Sequence, residues 1–233
     1  MAGFGRRGLL LGGGMVAIMA LWQRYGVQRR AALEFRAIHG APGWSFASAG
    51  GISGLSGADF ATIGLDEGPE PLDPALLENV LYPRRDTVPV AVFSDYFCPY
   101  CRELVPRVKA LENAGVLRAN WHELPLLGPL SGWAARASVA ADLQDGYAEF
   151  TQALARQGVK PTASWFSTVA ETAGLDGAML RQDMAGPEVA RRLQQTAAAA
   201  ARLGISGTPG IAAGRKVVLG AIETDQLEAL VRP

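Results

Sequence analysis

The feature that most restricts this chain is its only two cysteines, placed two residues apart at the end of an apolar run. Val88 to Phe93 reads VPVAVF, a short Val-rich stretch that suits a buried strand. Ser94-Asp95-Tyr96-Phe97-Cys98-Pro99-Tyr100-Cys101 follows at once. Leu104, Val105, Val108 and Leu111 then recur at helical spacing. The cysteines therefore fall where a strand turns into a helix, within the first helical turn. The free N–H groups and dipole of a helix start favour negative charge there. A thiolate at that place is stabilised over the thiol, whose ordinary pKa is about 8.5.

Two intervening residues on a helical turn bring both sulfurs within bonding reach. Cys98, at the very start, is expected to be the exposed sulfur, and Cys101, a turn inward, the shielded one. That asymmetry suits thiol–disulfide exchange: Cys98 forms a mixed disulfide and Cys101 resolves it. The bare residues also admit a structural disulfide, half of a zinc site, or two buried free thiols. So short a disulfide loop would remove little unfolded-state entropy. A zinc site needs further ligands, and His39 and His122 are distant in sequence. The residues favour a redox pair without closing off the others.

Composition narrows the field around that pair. With 233 residues, 49% of them hydrophobic and 19% charged, the chain is not disordered throughout. Its length allows one ordinary domain with an appendage, or two small domains. Twenty-two basic residues balance 22 acidic ones, which argues against a nucleic-acid partner. Two cysteines exclude both a disulfide-scaffolded mini-protein and a four-cysteine zinc site.

The amino terminus carries a targeting pattern. Arg6 and Arg7 precede an uncharged run from Gly8 to Trp22, and Arg24, Arg29 and Arg30 follow it. As a helix that run spans about 22 Å, short of the ~30 Å hydrocarbon core unless flanking Arg side chains snorkel. An uncleaved membrane anchor over residues 8–22 is the first reading and a cleaved signal peptide the second. The start also resembles a weak twin-arginine signal. All of these place the rest of the chain outside the cytoplasm, in a periplasmic or other extracytoplasmic space. Gly8, Gly12, Gly13 and Gly14 disfavour a buried soluble helix. From His39 to Gly57 the chain is rich in Gly, Ala and Ser and reads as a flexible linker, with Trp44 and Phe46 docking at unassigned places. Asp66 to Pro74 is another turn-rich stretch. Asp73 and Pro74 then cap a short helical pattern carrying Leu76, Leu77, Val80 and Leu81. The resulting division is a signal or anchor at 1–36, a Gly/Pro-rich linker with a short helix at 37–85, and a folded domain at 86–233.

Beyond the cysteines, more of the chain falls into a known pattern. Phe97-Cys98-Pro99-Tyr100-Cys101 at a strand end resembles the thioredoxin-superfamily motif, and Pro106 stands where the family's active-site helix carries a kinking proline. Gly204-Ile205-Ser206-Gly207-Thr208-Pro209-Gly210 resembles the family segment whose proline is cis and faces the cysteines. Two short strands, Ile211 to Ala213 and Lys216 to Leu219, and a final helix, Thr224 to Val231, complete it, with Gly220 between. Helical patterns at Ser131–Leu143, Gly146–Arg156, Pro161–Thr172, Asp176–Met184 and Gly186–Leu203 separate the two motifs. Such an insertion, at about 130–203, is similar to the DsbA-like branch, and Trp121 to Gly128 resembles that branch's strand-to-insert junction. The resemblance covers roughly Asp86 to Pro233.

It implies an α/β thioredoxin fold with a helical insertion, preceded by the apolar segment and the linker. The implied activity is thiol-disulfide oxidoreduction on cysteines of exported proteins. Cys98 and Cys101 are its catalytic pair, and Pro99, Tyr100, Thr208 and Pro209 shape the substrate groove, with backbone groups of Thr208 free to pair with an extended strand. No dissociable cofactor and no metal is implied, the redox group being the Cys98–Cys101 disulfide. A membrane redox partner is implied for recycling. Two departures stand out. The buried acid that some members carry six residues before the first cysteine is Val92 here, while Asp95 reads as a turn former. The His of strongly oxidising members is Tyr100, so a less depressed Cys98 pKa and a less oxidising pair are expected. The competing class is a thiol-based binding module, carrying a partner protein or Cu(I) on the same scaffold. Ser131 and Ser138 lack a nucleophile-elbow setting, and His122 and Glu123 read as structural residues of a strand.

Overall fold

A computed structural model describes residues 32–54, 72–157, 160 and 162–232 of the chain. The proposed anchor or signal at 8–22 lies outside the described residues, as does most of the Asp66–Pro74 stretch. Among the described residues no helix is long and apolar enough to cross a membrane.

Among the described residues six strands form one sheet: β1 (Arg36–Ala37), β2 (Ser45–Ser48), β3 (Pro89–Ser94), β4 (Arg118–Glu123), β5 (Gly210–Ala213) and β6 (Lys216–Leu219), in the order β1-β2-β6-β5-β3-β4. Strand β3 is central. It runs parallel to β4, with Val92 opposite Trp121, and antiparallel to β5, with Val92 opposite Ile211. Its Val90 to Phe93 are at most 1% exposed, which explains an apolar run without polar alternation. Strand geometry sends alternate residues to opposite faces. Ala91 and Phe93 pack into a cluster with Trp44, Leu77, Leu81, Ala199, Leu203 and Ile205. Val90 and Val92 are left for the opposite face.

Helix α1 (Pro74–Leu81) begins on Asp73, whose side chain accepts the Ala75 N–H, with Pro74 at its first position. It buries Leu77 and Leu81, while Leu76 remains exposed. Helix α2 (Pro99–Asn113) begins on Cys98 and buries Cys101, Leu104, Val108 and Leu111. Pro106 lies inside it, where the missing N–H removes one helical hydrogen bond. The insertion comprises α3 (Pro129–Asp142), α4 (Tyr147–Gln157), α5 (Ala163–Thr172), α6 (Gly177–Met184) and α7 (Pro187–Leu203). It has a core of its own, built on Ala134, Phe150, Leu154, Phe166, Val169, Leu180 and Met184. Helix α7 ends on Gly204, whose left-handed φ of 72° suits glycine. Helix α8 (Thr224–Val231) closes the chain and buries Leu227, Leu230 and Val231.

The reading of residues 39–57 as a flexible linker is corrected where the structure describes them. Ser45–Ser48 pair in parallel with Lys216–Leu219 over four residues, extending the sheet. Trp44 is 6% exposed and belongs to the core cluster, with Phe46 packed against it. The Gly-rich composition hid a strand because Ser45-Phe46-Ala47-Ser48 is too short and mixed to show a period. Backbone pairing to β6, not side-chain pattern, orders it.

Candidate active site at the strand-to-helix turn

Asp95 builds the turn that presents Cys98. Its carboxylate is 1% exposed. Oδ1 accepts the Phe97 N–H at 2.8 Å and the Ser131 hydroxyl at 2.9 Å. Oδ2 accepts the Leu126 and Leu127 N–H groups at 2.8 and 3.1 Å. The Asp95 carbonyl accepts the Cys98 N–H at 3.0 Å. A buried charge needs such hydrogen bonds to persist. One side chain thus ties the cysteine turn to the approach of α3 and to the helix itself. The turn-forming reading of Asp95 understated this reach, because the partners at 126–131 come together only in the fold.

Both cysteines are free thiols. Cys98 caps α2, and its sulfur accepts the Cys101 N–H at 3.3 Å. Hydrogen bonding from the Cys101 thiol, ahead of smaller contributions from Thr208, Ser53 and the Cys101 N–H, pushes the Cys98 thiol down to about 5, against the opposing effect of burial. The same bond, and then burial, drives Cys101 far upward. Both shifts favour keeping the proton on Cys101 rather than on Cys98. Tyr100 is not among the groups that lower Cys98. Lacking a His at position 100 does not leave this sulfur near its ordinary range, since neighbouring donors supply the stabilisation.

The expectation that Cys98 is the exposed sulfur is wrong. Cys98 is 0% exposed and Cys101 3%. Thr208 and a segment from the amino-terminal side cover it. The Cys98 sulfur lies 3.2 Å from the Thr208 carbonyl oxygen. Thr208 is itself fully buried, and its bond to Pro209 is cis. Ser53 forms an antiparallel bridge with Thr208: Ser53 N–H donates to the Thr208 carbonyl at 2.8 Å, and Thr208 N–H donates to the Ser53 carbonyl at 2.6 Å. The Thr208 backbone is therefore already paired rather than free. Pro99 is exposed at the first position of α2, and the Tyr100 ring lies against Gly51. Of the sequence-derived residues, Cys98, Cys101, Thr208 and Pro209 converge, and Tyr100 stands at the edge. Ser53 was not foreseen. Its only signal was a run of glycines on either side.

Behind the cysteines lies a second buried polar group. Glu123 ends β4 opposite Ser94, and its carboxylate accepts the Tyr147 hydroxyl at 2.6 Å. Burial pushes Glu123 up to about 8, opposed by that hydrogen bond and assisted by Asp95. Burial also raises Tyr147 and lowers His122. His122 stacks on Phe93 at 5.1 Å and meets the Leu81 carbonyl at 3.0 Å, the packing of a core histidine. A cavity of about 440 Å³ opens on this side of β4, lined by Arg84, Trp121, Asp142 and Arg192, and neither cysteine reaches it. Among the described residues no group of three His, Cys, Asp or Glu side chains is placed to hold a metal.

Known proteins share this architecture. The family model of the DSBA-like thioredoxin domain matches residues 89–232. A thioredoxin-like oxidoreductase from Silicibacter pomeroyi superposes with a TM-score of 0.59 at 34% identity, over 66% of this chain and 94% of that one. The thiol-disulfide exchange protein alpha-DsbA2 from Wolbachia pipientis gives a TM-score of 0.60 at 19% identity, over 67% and 91% of the two chains. Among curated sequences, the Na(+)/H(+) antiporter NhaA 3 of Salinispora tropica is 32% identical over 60% of this chain, and NhaA 1 of Salinispora arenicola 31% identical over 73%. This chain spans only 22% and 27% of those two proteins.

Proposed function

Because the chain belongs to the DSBA-like thioredoxin domain family, we propose that it exchanges disulfides with protein substrates through Cys98 and Cys101. The observation that carries this is geometric: Cys98 caps α2 with its sulfur accepting the Cys101 N–H at 3.3 Å, and Thr208 beside the cis Pro209 meets that sulfur. The Cys98 thiolate attacks one sulfur of a substrate disulfide. A Cys98–substrate disulfide forms, the substrate S–S bond breaks, and the other substrate sulfur leaves as thiolate. Cys98 then carries no charge to hold the Cys101 proton, so the main cause of the raised Cys101 pKa is gone. Cys101 gives its proton to the released substrate thiolate and attacks Cys98. The Cys98–Cys101 disulfide forms and the second substrate sulfur departs, so the substrate gains two electrons. Run backwards, the same steps oxidise a substrate dithiol. Pro99, Tyr100, Thr208 and Pro209 frame the groove in which this happens.

In this reading the cysteine pair is the whole redox group and no dissociable cofactor takes part. The substrates are cysteine-containing exported proteins, the domain works outside the cytoplasm, and residues 8–22 attach it to a membrane. A redox partner in that membrane returns the pair to its working state. The antiport activity named for the Salinispora relatives belongs to proteins of which this chain matches about a quarter, and it is not carried over. Insulin reduction and refolding of reduced ribonuclease test the proposal. Cys98→Ser is expected to lose both activities, and full activity in that variant would refute it. Equilibration with glutathione gives the potential and hence the direction.

A further inference from the structure

A nucleophile with no exposed surface cannot meet a protein substrate, so something must move. What covers Cys98 is specific. Residues 50–54, Gly-Gly-Ile-Ser-Gly, form a strap beside the Cys98 turn, with Gly51 against the Tyr100 ring and Ser53 bridged to Thr208. Ser53 takes both backbone hydrogen bonds of Thr208, the residue whose carbonyl lies 3.2 Å from the Cys98 sulfur. The strap fits only because it is nearly bare. A Cβ on Gly51 would overlap the Tyr100 ring, and one on Gly54 would lie 2.6 Å from the Ser206 carbonyl oxygen. Gly207, on the other side of the bridge, is also tight: a Cβ there would lie 2.9 Å from the Ser53 carbonyl oxygen.

The strap is held lightly compared with what precedes it. Ser45–Ser48 are fixed by a four-residue ladder to β6, whereas the strap is held by the isolated Ser53–Thr208 bridge and by the Gly51 carbonyl, which accepts the Ala221 N–H at 3.1 Å. Ile52, the only large side chain in the strap, is 44% exposed and anchors nothing deep. A segment that pairs antiparallel with the backbone of Thr208 beside the Cys98 sulfur has the geometry of a substrate strand. At position 53 it carries a hydroxyl, beside Cys98, where a reacting substrate would carry sulfur.

We infer that residues 50–54 are a built-in pseudosubstrate, a strap that occupies the substrate groove with Ser53 opposite Cys98 and must be displaced before an extended cysteine-bearing polypeptide can react. This rests on the disulfide-exchange reading of Cys98. The strap slows the reaction of Cys98 with small oxidants and adventitious disulfides, which reach it only when the strap opens. It gives way to a strand that makes the same two backbone hydrogen bonds and also places a sulfur at position 53's site. The glycines keep the strap's side-chain contribution low, so that exchange for a substrate strand is favourable.

Two measurements on the full-length chain test this without needing substrate turnover. Gly51→Val forces the strap off the Tyr100 ring. The reduced variant is expected to be alkylated at Cys98 by iodoacetamide at least tenfold faster than wild type at pH 7, a change of about 1.4 kcal/mol in the opening equilibrium. A rate within twofold of wild type in a folded variant overturns the inference. Independently, Ser53→Cys in a Cys101→Ser background is treated with oxidised glutathione. The Cys98 thiolate attacks glutathione disulfide and releases one glutathione. The thiol introduced at position 53 then attacks the Cys98 sulfur and releases the second. Two protein thiols are oxidised and one glutathione disulfide is reduced. The expected product is an internal disulfide, lighter by two hydrogens and resistant to alkylation. A stable glutathione adduct on Cys98, with the position-53 thiol free, overturns the inference. Failure of the exchange reading itself would show separately, as wild type inert toward insulin and ribonuclease.

Discussion

Replacing Cys101 with alanine isolates the interaction on which the chemistry depends. The Cys101 thiol is the foremost cause of the low Cys98 pKa of about 5, and Cys101→Ala deletes it while leaving the turn, the Asp95 carboxylate and the Cys101 N–H in place. A hydrogen bond to a charged group contributes about 1.5–3 kcal/mol, and one pKa unit corresponds to about 1.4 kcal/mol. Cys98 in the variant should therefore titrate roughly one to two units higher. Cys101→Ser keeps a hydroxyl donor at the same place and should move the titration less. The assay is the thiolate ultraviolet absorbance of the reduced protein as a function of pH. It works on a covered sulfur, which alkylation rates would not report cleanly. A Cys98 midpoint unchanged by Cys101→Ala would refute the idea that the partner thiol holds the charge. A wild-type midpoint in the ordinary thiol range of about 8.5 would refute the geometry behind it.

Three further expectations concern stability. The Cys98 pKa is lowered by folding, so its contribution to the reduced protein is complete above the unfolded thiol pKa and is lost as pH falls through about 5; urea unfolding across that window should show a slope that Cys98→Ala removes, and an equal slope in both would count against it. Glu123 behaves oppositely, its folded pKa of about 8 lying above the unfolded value, so stability is fully present below the unfolded pKa and is lost as pH rises through about 8. Glu123→Gln, which still accepts the Tyr147 hydroxyl, should flatten that fall and gain at least about 1.4 kcal/mol at pH 8; a loss there would show that the carboxylate is stabilised in some way burial does not describe. Asp95→Asn turns one accepting oxygen into a donor facing a buried N–H, which should cost about 1–3 kcal/mol. At about 2–4 °C per kcal/mol for a chain of this size, melting should drop by several degrees. A melting temperature within a degree of wild type would mean that the turn does not rely on this carboxylate.

Much of this protein was legible along the chain, because the relevant signals are local. A Val-rich run buried on both faces, cysteines two residues apart, a capping Asp73-Pro74, and helical periodicities across the insertion each act within one element, so each shows in a short window. The observed α3 to α7 start and end within a few residues of the sequence patterns. The Thr208-Pro209 segment could be singled out only by resemblance, since nothing local says that residues 98 and 208 meet.

What the tertiary structure alone decided are the pairings between distant backbone groups. Strand β2 exists because β6 offers it a partner, not because Ser45-Phe46-Ala47-Ser48 prefers extension. The Asp95 carboxylate gathers donors from residues 97 and 126–131, which no spacing announces. Ser53 covers Cys98 through main-chain hydrogen bonds, and main-chain donors and acceptors are the same at every non-proline position. Side chains advertise their chemistry in the sequence. Backbone groups do not, and in this protein they determine whether the reactive sulfur can be reached.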